Sequence, residues 1–86
     1  MIVYHGFMVK DKKDLMIDLV TADVIDAIMD DNAVSAQEAM QAFYNSEVFD
    51  RLCDTETGLY RESGGYVYHL YKNWQTIIER NPPFYL

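Results

Sequence analysis

A disulfide framework is excluded at the outset, because Cys53 is the one cysteine in the chain. Nothing at the start runs from positive charge through an apolar stretch to small residues, so no signal peptide is read and a reducing cytoplasm is the expected location. Bases are scarce too: seven Lys and Arg stand against 14 acids, a formal charge of -7. Nucleic-acid affinity depends on cations that displace condensed counterions, so a phosphate-binding role is disfavoured. The one basic cluster, Lys10, Lys12 and Lys13, is diluted by Asp11 and Asp14. Long uncharged apolar runs are also missing. The most apolar stretch, Leu15 to Met29, is broken by Asp18, Asp23 and Asp26, whose charges are costly in a bilayer, and no membrane span is expected. Histidine is sparse as well: His5, His69 and Cys53 are isolated from one another, which leaves no zinc motif.

What is present favours folding. Half the residues are hydrophobic and 14% are aromatic, too apolar for a disordered chain. At 86 residues there is room for one domain, burying only about 60 to 65% of its unfolded surface. The expected architecture is all-α, a small bundle of three to four helices over residues 11–81, preceded by a short extended arm over 1–10 and followed by a tail over 82–86.

The arm is read from Ile2, Val3 and Tyr4, which favour extended backbone, and from Gly6, which interrupts it. From about Asp11 to Asp31, Ile17, Val20, Val24, Ala27 and Ile28 recur at steps of three and four as one apolar stripe, with Asp11, Asp14, Asp18, Asp26 and Asp30 roughly opposite. Leu15, Leu19 and Met29 fall on the acidic side. Wide burial is the expected reason, with a dimer seam as the other reading. Ser35 and Glu38 form a capping box that starts a second helix through Ala36, Ala39, Met40 and Phe43, ended by Asn45 and Ser46. Ser46 can cap a short third helix carrying Val48, Phe49, Leu52 and Cys53, which stops at the turn residues 54–58. Leu59 and Tyr60 are expected to pin that connection to the core. After Ser63-Gly64-Gly65, alternation around Tyr66 and Tyr68 competes with a helical stripe of Val67, Leu70, Tyr71, Trp74, Ile77 and Ile78. The stripe is the longer signal, so a last helix is expected, stopped near Asn81 by Pro82 and Pro83.

Catalytic and metal chemistry find no constellation. Asp54, Glu56 and Gly58 resemble the opening of a calcium loop, but the glycine comes one residue early and Gly65 stands where a bidentate acid is needed. Cys53 falls near the C-terminal end of its helix, where the dipole disfavours a thiolate, and is expected to be a packed thiol. His69 is assigned to the shoulder of the last helix beside Tyr68 and Lys72. No catalytic residue, metal or cofactor is implied, and the chain is expected not to be an enzyme. The tyrosines are denser than core-building requires, and Tyr suits binding surfaces because it buries a large area while keeping a polar handle. Tyr71 and Trp74 are expected in the core. Tyr60, Tyr66 and Tyr68, with Asp18, Asp26 and Asp30 of the first helix, are the candidate partner-binding residues. A homodimer stays open.

The segment SAQEAMQAFYNSEVFDRLCDTETGLYRESGGYVYHLY resembles a family of short bacterial proteins of unknown function. Its pattern is met by Ser35, Glu38 and Ala39; by Ser46, Phe49 and Leu52; by Thr57, Gly58, Leu59 and Tyr60; and by Tyr66, Val67 and Tyr68. With the first helix, the resemblance covers residues 11 to 80. Genes of that family often sit beside genes for ADP-ribosyltransferase-like proteins, which implies an accessory or toxin-antitoxin type of pairing. The expected function is thus a non-enzymatic interaction module, antitoxin-like or accessory, with such a protein as partner. The alternative is a small regulator binding DNA through the helix pair at 35–53, which has only Arg51 to offer a phosphate.

The opening MIVYHGF resembles the first strand of an ADP-ribosyltransferase, where a His-Gly pair grips the dinucleotide. That fold needs a mixed sheet longer than this chain and a catalytic Glu on a later strand. Phe7 also stands where a small hydroxyl residue usually follows the pair. His5 and Gly6 are therefore assigned to a structural arm.

Overall fold

The computed structural model describes residues 11–80, which form four helices with no strand among them. These are α1 (Lys12–Asn32), α2 (Ala36–Tyr44), α3 (Glu47–Cys53) and α4 (Gly64–Arg80), with 3-10 turns at Thr55–Thr57 and Leu59–Arg61 between the last two. The all-α bundle expected from the periodicities is the architecture observed. The arm over 1–10 and the tail over 82–86 lie outside the described residues.

α1 begins where Asp11 accepts the Asp14 amide at 2.9 Å, and it buries Ile17, Val20, Thr21, Val24 and Ile28. Thr21 is tolerated inside because its hydroxyl donates to the Ile17 carbonyl at 2.7 Å. The helix ends at Ala33, in the left-handed region at φ 54° and ψ 43°, with its amide donating to the Met29 carbonyl. Glycine is the residue that adopts this cap without a Cβ penalty. Ala33→Gly is expected to raise stability by about 0.5–1 kcal/mol, read as a thermal midpoint higher by a few degrees. An unchanged or lower midpoint would contradict it.

The capping box of α2 forms as expected: the Glu38 amide donates to Ser35 Oγ at 3.1 Å, and Glu38 Oε1 accepts the Ser35 amide at 3.0 Å. Ser46 then turns the chain into α3. It is 1% exposed, yet both its capacities are used, since its hydroxyl donates to the Phe43 carbonyl at 2.7 Å and accepts the Phe49 amide at 3.1 Å. Beyond α3, Asp54 accepts the Glu56 amide at 3.1 Å and the Thr57 hydroxyl donates to the Arg51 carbonyl at 2.7 Å. Gly58, at φ 72°, makes the reversal between the two 3-10 turns. The acids that resemble a calcium loop serve a turn, Asp54 as its cap.

α4 starts two residues earlier than expected, at Gly64, because Ser63 Oγ accepts the Tyr66 amide at 3.1 Å. Gly64 lies against Asp23 in the middle of α1, and Tyr68 reaches Asp31 near its end. α4 thus advances along α1 in the same sense. Val24, Ala39, Phe43, Leu52 and Val67 are fully buried, one or more from each helix. Phe43 is central: it meets Phe49 edge-on at 5.4 Å and Tyr71 at 5.8 Å between ring centroids.

Candidate interaction surface

α1 has two apolar faces. Its inner face is buried, as expected, but Leu15 is 52% exposed and Leu19 60% exposed, so the wide burial expected for them is overturned. Leu15 sits diametrically across the helix from Val24 and Leu19 from Ile28, away from α2 and α4, which pack on the inner face. Met29, the third apolar residue on the acidic side, does reach the core edge and is half-buried. Ala22 is exposed between these positions, as are Asp18, Asp26 and Asp30, three of the predicted site residues. An apolar ridge is therefore flanked by carboxylates on the solvent side of the longest helix.

The three tyrosines predicted for the same role separate. Tyr60 is 4% exposed and belongs to the core, which corrects its assignment to a partner surface. The 3-10 turn that follows Gly58 points Leu59 and Tyr60 inward together, as the pinning role required, and Arg61 Nε donates to the Tyr60 hydroxyl at 3.3 Å. Tyr66 is 48% exposed. Tyr68 is half-buried and already engaged: its hydroxyl donates to Asp31 Oδ2 at 2.5 Å, its ring stacks on Tyr71, and Lys72 lies 5.6 Å above it. The Lys72–Asp31 ion pair, 3.8 Å long and solvent-exposed, adds little by itself.

Burial first, then the hydrogen bond and charge of Asp31, then Tyr71, push the Tyr68 phenol up to about 12 from 10.0. The fold favours the neutral phenol. Its contribution to stability is thus intact below pH 10 and is lost as pH rises through about 12. Tyrosinate absorbance should show a late step near that pH, and Tyr68→Phe should remove it. A step that survives the substitution would reassign it to Tyr71, which burial also raises.

α3 and the later part of α4 enclose a groove of about 250 Å³, with Val48, Leu70 and Ile78 on its walls and Glu47 and Arg51 at its rim. Trp74 lines it with its indole Nε1–H buried and without an acceptor. Ile77, expected within the core stripe, is 58% exposed and lines the same groove.

Cys53, the last residue of α3, is exposed and not packed as expected; partial burial of its sulfur and then Asp50, Asp18 and Asp14 push the thiol up and away from nucleophilic form. On the α2–α3 pair, Arg51 stands among Glu38, Glu47 and Asp50, an acidic balance opposed to DNA phosphates. Among the described residues, no group of three or more His, Cys, Asp or Glu could hold a metal ion. No helix among them is long and apolar enough to cross a membrane. Comparison of the chain with protein-family models, with curated proteins and with solved structures yields no match.

Proposed function

We propose that the chain is a non-enzymatic protein-interaction module, antitoxin-like or accessory in role, that works through the outward face of α1. The exposure of Leu15 and Leu19 among carboxylates carries the reading. Two large side chains more than half in water, adjacent on one ridge, forgo a little over half of the about 1.5–3 kcal/mol that full burial gives each, which a partner's surface would recover. The surplus of seven negative charges selects a basic partner and speeds the encounter. Tyr66 extends the contact area from α4. The resemblance to proteins encoded beside ADP-ribosyltransferase-like genes makes the product of such a neighbouring gene the first partner to try.

Co-expression with the product of an adjacent gene, an ADP-ribosyltransferase-like protein where one is encoded there, should give a complex that survives size exclusion. Substituting Leu15 and Leu19 together by Ser should weaken it while leaving the helical circular dichroism signal intact. Failure of that protein, and of every other native protein captured on the chain, to form a stoichiometric complex would overturn the reading. The DNA-binding alternative has no comparable support, since its helix pair is acidic.

A further inference from the structure

The interaction reading leaves open what shape of partner the face of α1 takes, and the spacing of its residues answers that. From Leu15 the exposed ridge runs to Leu19, Ala22 and Asp26, ending at the half-buried Met29, in steps of four and three. Steps of that kind are the seam of a coiled coil, with Leu15, Ala22 and Met29 at d positions and Leu19 and Asp26 at a positions. In the same register the e and g positions, which flank a seam and choose its partner, hold Asp11, Met16, Asp18, Asp23, Ile25 and Asp30; Met16 and Ile25 pack against the core, which leaves the four acids on the solvent side. All four are exposed. The seam lies opposite the buried face, with the first turn of α4 against Asp23 on one flank.

We infer, resting on the interaction reading above, that the outward face of α1 is one half of a two-helix seam whose other half is a basic amphipathic helix. That helix carries Lys or Arg at its flanking positions and a cation facing Asp26. A second copy of this chain is a poor occupant. Two such faces would oppose carboxylate to carboxylate along both flanks, and like charges facing each other are destabilising. Asp26 has the character of a specificity device: a carboxylate at a seam position costs affinity with an apolar partner and favours one that supplies a positive charge there.

The probe is a synthetic peptide about four heptads long, with Leu at a and d except for one Lys at an a position, and Lys at e and g. Its control carries Glu at e and g. The full chain should bind the Lys peptide at least about tenfold more tightly than the Glu peptide, with affinity falling as salt rises. Leu19→Lys should abolish binding of the Lys peptide. Asp26→Lys should weaken it about tenfold or more, and a peptide with Glu in place of its seam Lys should restore binding to that variant. Equal binding of the two peptides would overturn the inference, as would binding of the Lys peptide that ignores Leu19. Sedimentation showing the chain to be a dimer that Leu19→Lys splits would overturn it in favour of a second copy. A native complex that survives Leu19→Lys would also overturn the seam, while leaving the interaction reading standing on another surface.

Discussion

Phe43→Ala is expected to cost about 3–5 kcal/mol, a large share of the stability that the fold has to lose. A domain of this size starts from a stability of about 5–10 kcal/mol at most. Phe43 is fully buried, and its ring is shared by three helices: it comes from α2, meets Phe49 of α3 edge-on and meets Tyr71 of α4 edge-on. Truncation removes the transfer energy of the ring and both aromatic contacts, and leaves a cavity that three helices held together by that ring cannot close without losing one another. Urea titration followed by circular dichroism should show the midpoint move to low denaturant or vanish. Phe43→Leu, which keeps most of the volume, should cost far less. A midpoint for Phe43→Ala within experimental error of the parent would show that the packing around this ring is wrong.

Much of this core was legible in the sequence, for local reasons. Ser35 with Glu38, and Ser46 before its apolar pair, are short-range signals whose hydrogen bonds close within three residues, so spacing alone determines them. The inner stripe of α1 was legible because a helix repeats regularly. What was not legible depends on contacts between distant residues. Periodicity places Leu15 and Leu19 on the acidic side of α1, but whether that side is buried depends on where α2 and α4 settle, which no local pattern encodes. Tyr60 offered two readings, and the direction of one 3-10 turn decided for the core. The Ser63 cap stood in the sequence as a hydroxyl three residues before Tyr66, obscured by the two glycines after it. For the candidate site, the acids and the leucines among them were legible from helical periodicity, and the structure adds that Leu15 and Leu19 are left uncovered by the bundle.

Gly64→Ala is expected to destabilise the chain by about 2–3 kcal/mol, whereas Gly65→Ala, one position along, should be neutral or stabilising by up to about 1 kcal/mol. Both glycines open α4, and in both cases alanine is the better helix former, so propensity alone predicts the same sign for the pair. Space separates them. A methyl at Gly64 would stand 2.3 Å from Asp23 Cβ and 2.7 Å from its Oδ2, while at Gly65 the nearest atom is Ser63 Oγ at 4.0 Å. The carboxylate can swing aside, but Asp23 Cβ is fixed to the α1 backbone, so α4 itself must retreat. Retreat at its first turn loosens Val67 and Tyr71 further along the same helix, which face the core, and pulls Tyr68 from Asp31. The test follows from that geometry. Asp23→Gly should recover most of the loss in the Gly64→Ala background, because the atom that blocks the methyl is then gone; the two changes made separately should not add. Recovery that fails to appear would place the cost of Gly64→Ala elsewhere than in the contact between α1 and α4. Asp23 also flanks the ridge of Leu15, Leu19 and Ala22, so the closeness that demands glycine at 64 is what holds α4 on the inner side of α1 and leaves the outer side open to a partner.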